Sequence, residues 1–160
     1  MVAMIANLAE LEARMKRLED IEAIKRLKYK YLRTLDSKLW DELAECFTED
    51  ATAAYSGGRY SFQGRDAIME FLKKGLGHTI ISMHHGHHPE IEITSDTTAR
   101  GIWALKDYLI ITEVNRGVRG AAFYHDEYVK VNGEWKIKST GYDRTFEEMW
   151  DRSEVLFNLC

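Results

Sequence analysis

The sequence predicts an α+β fold, a cone in which a curved antiparallel sheet wraps around N-terminal helices and encloses an interior pocket. Apolar residues recur at three- and four-residue steps through the first third of the chain, with no glycine or proline before Gly57. From Thr79 onward the pattern changes to strand-like runs rich in β-branched and aromatic residues. Helices thus come first and strands joined by short turns follow, the order of an α+β chain rather than of repeated βαβ units. Long twisted strands curled over a helix can hold a hollow of the kind that takes small apolar molecules.

The elements follow in order. Ile5, Leu8, Leu11, Met15, Leu18, Ile21, Ile24 and Leu27 form one helical stripe, expected to end near Leu35. Residues 1–17 are expected to extend as an arm that packs on another chain. Leu39, Leu43 and Phe47 place a second short helix over Lys38–Phe47, with Asp36 or Ser37 as its cap. Ala51–Tyr55 and Tyr60–Gln63 read as a hairpin around Ser56-Gly57-Gly58-Arg59. Ile68, Phe71, Leu72 and Leu76 share one side of a third helix, Arg65–Leu76, closed by Gly77. Strands are expected over Ile80–His88, Ile91–Thr94, Thr97–Glu113, Val118–Val131 and Trp135–Arg144, with turns at Asn115-Arg116-Gly117 and Asn132-Gly133. A last helix is expected over about Phe146–Leu156.

Composition narrows the function. The 160 residues are 45% hydrophobic and 30% charged, the balance of one globular domain. A net charge of −4 argues against a phosphate-backbone binder, so no nucleic acid is expected as a partner. No stretch has the length and apolarity of a membrane span, and the charged N-terminus is not that of a secretory signal. Cys46 and Cys160 make no disulfide framework and read as reduced thiols of a cytoplasmic protein. The chain has no glycine-rich nucleotide loop, no Gly-x-Ser-x-Gly elbow and no Cys-x-x-Cys, so nucleotide cofactors and serine hydrolysis have no support.

Several polar residues sit where they are costly. Strand alternation puts Asp107 on the apolar face with Trp103, Leu105 and Leu109. A carboxylate there either pairs with a core arginine or serves a pocket as an acid or hydrogen-bond donor. Arg144 is either a surface charge or the partner that keeps such an Asp ionised. Residues 83–89 hold four of the six histidines. Alternation divides these into His84 with His88 and His85 with His87; a His-x-His pair can bind zinc, but the spacing matches no zinc signature. One catalytic histidine among bystanders is the commoner arrangement. Tyr31 and Asp36 lie about 500° apart along a continuous helix, so they converge only if the chain turns at Asp36; a packing tyrosine and a simple cap are the plainer alternative.

At these residues the chain resembles the bile acid 7α-dehydratase family, within the SnoaL-like branch of the nuclear-transport-factor-like (cystatin-like) superfamily. The carriers are Asp20-Ile21-Glu22-Ala23-Ile24-Lys25, Lys30-Tyr31, Leu35-Asp36 and Leu39-Trp40-Asp41-Glu42-Leu43. Further along they are Ile81-Ser82-Met83-His84, Gly86-His87, Thr97-Thr98-Ala99, Gly120-Ala121-Ala122-Phe123-Tyr124, and Gly141-Tyr142 with Arg144. The similarity spans about residues 18–150, and the order and spacing of the motifs make it specific.

A single SnoaL-like domain over 1–160 is expected, with a helical arm at 1–17, a core at 18–150 that carries the resemblance, and a tail at 151–160. The resemblance implies a catalytic set of Tyr31, Asp36, His84, Asp107 and Arg144, with Tyr55 lining the pocket, and neither a metal nor an organic cofactor. The implied activity is a hydro-lyase that eliminates water from a 3-oxo-4-ene hydroxysteroid, as free acid or coenzyme A thioester, by acid–base catalysis in a homo-oligomer, with a trimer favoured. A steroid double-bond isomerase and a non-enzymatic binding module on the same fold stay open beside it. Ile81, Met83 and Ile91 fall on the face opposite His84, which either a sheet covered by a partner subunit or a β-bulge would reconcile.

Overall fold

A computed structural model describes residues 2–155, with side chains from residue 7 onward. Helix α1 (Val2–Asp36) is followed by the short α2 (Trp40–Ala44), strands β1 (Phe47–Tyr55) and β2 (Tyr60–Gln63), and helix α3 (Arg65–Gly75). Four long strands complete the chain: β3 (Ile80–Ile93), β4 (Thr98–Ile111), β5 (Arg116–Val131) and β6 (Glu134–Asp151). They form one six-stranded sheet in the order β2-β1-β6-β5-β4-β3. Neighbours are antiparallel except β1 and β6, which run parallel and depart from the expected antiparallel meander. This pairing lets the first strand close onto the last, and it brings Tyr55 beside Tyr142.

The α+β architecture holds. The concave face of the sheet carries α1 and α3, and the core between them includes Ile24, Leu35, Leu43, Ile68, Trp103, Tyr124 and Ile137. Trp103 donates its indole N–H to Tyr128 at 2.9 Å, so this large ring is buried with its polar atom satisfied.

Some boundaries differ from the sequence reading. No helix forms at Phe146; residues through Asp151 continue β6 and pair with Arg116–Ala121 of β5. The helix-forming residues Glu147, Glu148 and Met149 yield to backbone pairing with a strand already in place. The two expected strands at 80–94 are one strand, β3, with a register shift between His87 and Glu90 and a left-handed φ of 44° at His88. The second helix is shorter than expected because Phe47 opens β1. Its N-cap position is Leu39, not Asp36 or Ser37, and no side chain caps it.

The bulge explains the face change in β3. Ile81, Met83, His85 and His87 point outward, and beyond the bulge Ile91 and Ile93 turn to the core. Ile81, Met83, Ile102, Tyr108, Phe123 and Phe146 remain exposed. Along α1, Leu8, Leu11, Met15 and Leu18 are each more than half exposed, while Lys16 reaches Asp96 at the β3–β4 turn. Cys160 and the end of the expected last helix lie outside the described residues. No helix among those described is long and apolar enough to cross a membrane.

Candidate active site

The end of α1 builds the first part of the site. Leu39 N–H donates to Thr34 C=O at 2.9 Å and Lys38 N–H to Leu35 C=O at 3.3 Å, with Lys38 at a φ of 59°. This is a Schellman close with a lysine in the left-handed position. It ends the helix just after Asp36 and leaves that carboxylate facing β3, while Tyr31, about 140° away around the helix, faces the core.

Asp36 meets His84 there. His84 Nδ1 lies 2.6 Å from Asp36 Oδ1, and the backbone N–H of His84 donates to Oδ2 at 2.7 Å. Ser82 Oγ donates to the same Oδ1 at 2.8 Å and accepts from Lys38 Nζ at 3.0 Å. With Asp36 ionised, the imidazole proton sits on Nδ1 and Nε2 keeps its lone pair. The His84 side chain is 8% exposed, so its free nitrogen serves an enclosed space rather than bulk water.

Asp107 and Arg144 form the second polar pair. The guanidinium donates to both carboxylate oxygens, at 2.8 and 2.7 Å, in a bidentate fork. Burial opposes the Arg144 charge, but the hydrogen bonds and charge of Asp107 more than offset it and push its pKa up. The two residues stand on β4 and β6 with β5 between them. Gly120 of β5 pairs with Asp107, and a Cβ at that glycine would come within 2.6 Å of Arg144 Nη1 and 3.2 Å of Asp107 Oδ1. The missing side chain is what lets the ion pair bridge over the strand.

Tyrosines fill the remaining wall. Tyr31, Tyr55 and Tyr124 are each at most 2% exposed. Tyr31 and Tyr124 pack edge to face at 6.3 Å, and Tyr124 and Tyr142 do so at 5.5 Å. Burial, reinforced by Tyr124, drives the Tyr31 phenol well above its ordinary pKa; burial and the neighbouring Tyr31 do the same for Tyr55. These phenols keep their protons and act as donors. Tyr55 Oη has no hydrogen-bond partner among the described residues.

Together these groups line a cavity of about 160 Å³. Tyr31, His84, Asp107, Arg144 and Tyr55 are on its wall, with Leu35, Phe71, Leu72, Leu105 and Leu109 supplying the apolar surface. Asp36 stands behind His84 and is not on the wall. All five residues singled out in the sequence are therefore brought to one place, and Asp107 takes the alternative of a carboxylate paired with a core arginine, at the cavity wall. Of the other histidines, His85 and His87 stack at 5.7 Å on the exposed face. Among the described residues no three His, Cys, Asp or Glu side chains converge in a way that could hold a metal ion.

Sequence reasoning missed Tyr124, Tyr142, Ser82 and Lys38. Alternation along Ala122, Tyr124 and Asp126 would have placed Tyr124 inward. Lys38 had no signal, because its role depends on a left-handed turn at a residue type that rarely adopts one.

A SnoaL-like domain model matches residues 16–141 of the chain. The chain belongs to the SnoaL-like family. Among solved structures it is similar to a scytalone dehydratase candidate from Novosphingobium aromaticivorans, with 28% identity over 84% of this chain and 90% of that one and a TM-score of 0.79. It is also similar to the hexachlorocyclohexane dehydrochlorinase LinA-type3 from Novosphingobium barchaimii, with 20% identity over 92% and 99% of the two chains and a TM-score of 0.80. A third is ActVI-ORFA from Streptomyces coelicolor, with 18% identity over 78% and 96% and a TM-score of 0.67. For the last two the likeness speaks for the SnoaL-like fold alone.

Proposed function

We propose that this protein is a hydro-lyase that removes water from a 3-oxo-4-ene hydroxysteroid, in the manner of a bile acid 7α-dehydratase, by acid–base chemistry of its own side chains. The observation that carries the reading is the His84–Asp36 pair at 2.6 Å, opening onto a cavity that also holds a buried phenol, Tyr31. The 28% identical scytalone dehydratase candidate, named for an elimination of water, supports a lyase class.

In a 3-oxo-4-ene steroid with a 7α-hydroxyl, the proton between the alkene and the hydroxyl-bearing carbon is acidified by the conjugated carbonyl. His84 Nε2 takes that proton, and the C–H electrons move into a dienolate. Tyr31, protonated and buried, donates a hydrogen bond to the developing oxyanion. The dienolate collapses, the carbon–oxygen bond breaks, and the His84 imidazolium returns its proton to the departing hydroxide, so that water leaves and the imidazole is regenerated. Asp36 fixes the tautomer and faces the transient imidazolium. Asp107 and Arg144 stay paired and keep the wall neutral. The enclosed volume is below the roughly 300–1,000 Å³ of many ligand sites, so the reacting rings enter and the rest of the substrate, free acid or coenzyme A thioester, stays outside.

The exposed row Ile81, Met83, Ile102, Tyr108, Phe123 and Phe146 favours a homo-oligomer, a trimer in this reading. Light scattering after gel filtration should return a three-chain mass, and a monomer would refute that part. The free, buried Cys46 suits a reducing cytoplasm.

Incubation with a 7α-hydroxy-3-oxo-4-ene steroid tests the reading. Dehydration lengthens the chromophore and lowers the mass by one water. A shifted double bond with unchanged mass would make the protein an isomerase, and binding without turnover would make it a binding module.

A further inference from the structure

Behind the tyrosines lies a buried charge pair that the proposed reaction does not use. Lys28 of α1 and Asp126 of β5 have no exposed side-chain surface and meet at 2.7 Å. Asp126 is saturated: Oδ2 accepts from Lys28 and, at 2.7 Å, from Tyr128 Oη, while Oδ1 accepts from Thr140 Oγ1 at 2.6 Å. The carboxylate is thereby held in place. Among the described residues Lys28 has no second hydrogen-bond acceptor, and it lies instead against aromatic faces. Its Nζ is 3.5 Å from the centroid of the Tyr124 ring and 4.7 Å from that of Tyr31.

Stability is a weak reason for such an arrangement, since buried ion pairs can often be replaced by apolar residues of similar volume at no loss. Position is a stronger one. Burial lowers the pKa of Lys28 from its ordinary value, and the charge and hydrogen bond of Asp126 oppose that shift; the ammonium group so paired sits under two phenols whose rings form part of the cavity wall. A positive charge on a buried ring face draws electron density from the phenol oxygen toward the ring and stabilises the phenolate charge, and so strengthens the O–H as a donor. It also counters the Asp126 carboxylate, whose charge works against Tyr31, Tyr55 and Tyr124.

We propose that Lys28, anchored by Asp126, is a positioning residue that polarises the phenols of Tyr31 and Tyr124 so that a substrate oxygen in the cavity receives stronger hydrogen bonds. This rests on the reading of the cavity as the reacting site. The titratable groups around Tyr31 include Lys28 on its own helix, Tyr55 from β1, His84 from β3, Asp107 from β4, Tyr124, Asp126 and Tyr128 from β5, and Tyr142 and Arg144 from β6.

The test uses the full chain with a trifluorinated tyrosine at position 31, whose phenol is acidic enough to titrate while the protein stays folded, followed by absorbance. Lys28→Met removes the cation and leaves Asp126. The double variant Lys28→Met with Asp126→Asn removes both charges at nearly constant shape, and it keeps the test alive if the single variant does not fold. The midpoint at position 31 should rise by about 1 pH unit or more in Lys28→Met, and by less in the double variant. Equal midpoints in all three proteins, or a fall in either variant, would overturn the proposal. Where steroid turnover is present, kcat should fall in the same order with KM little changed. Absent turnover in the unsubstituted protein would refute the hydro-lyase reading, while the titration would still decide the role of Lys28.

Discussion

Asp36 holds His84 twice, through the ring nitrogen at 2.6 Å and through the backbone N–H at 2.7 Å. One carboxylate thus fixes both the imidazole and the strand that carries it. The Schellman close after α1 aims that carboxylate, and its geometry depends on Lys38 accepting a φ of 59°.

Asp36→Asn should therefore weaken catalysis more than folding. The amide can still meet the backbone N–H but no longer selects the Nδ1-protonated ring. We expect kcat to drop by roughly 10²-fold or more, with the urea midpoint close to that of the unsubstituted protein. Steady-state kinetics beside a urea titration checks both.

Gly120→Ala tests the bridge over β5. Its Cβ would face Arg144 Nη1 at 2.6 Å and the Phe146 carbonyl oxygen at 2.8 Å, and the latter is backbone that cannot swing away. A loss of about 1–3 kcal/mol is expected, read from chemical denaturation, together with impaired turnover because the Asp107–Arg144 fork must shift.

Much of this was legible in the sequence because its cause is local. The stripe of Ile24 and Leu27 fixed a core helix, and the alternation of Trp103, Leu105, Asp107 and Leu109 put a carboxylate inside before any partner was known. The choice of His84 over its neighbours came from family resemblance, since alternation alone could not separate it from His88; the bulge at His88 is what sets the two apart. The continuation of β6 past Phe146 was not legible, because Glu147-Glu148-Met149 favours a helix locally and only pairing with β5 overrides it. The parallel contact of β1 with β6 links residues some 90 positions apart and leaves no local mark.

The pH dependence of stability should include an acid limb from Asp20. Burial opposes its charge, but hydrogen bonds from Lys130 and Trp135 and the charge of Lys130 outweigh this and lower its pKa. A carboxyl with a folded pKa below its unfolded value stabilises the fold above the unfolded value, and that contribution is lost as pH falls through the folded one. Asp20→Asn should flatten this limb in thermal melts taken between neutral pH and acid; an unchanged limb would reject the assignment.

Cys46 should be inert in the native protein. Burial raises its thiol to about 11, so almost no thiolate exists at neutral pH. In a Cys160→Ser background, iodoacetamide should label Cys46 only after denaturant is added. Rapid labelling of the folded chain would show that its surroundings open readily.

The most direct measurement is the rate of water loss from a 7α-hydroxy-3-oxo-4-ene steroid, followed by product mass, for the unsubstituted protein and for His84→Ala. The account predicts a product lighter by one water, and a kcat reduced about 10²–10⁴-fold in the folded variant. A variant that dehydrates the steroid as fast as the unsubstituted protein would contradict it.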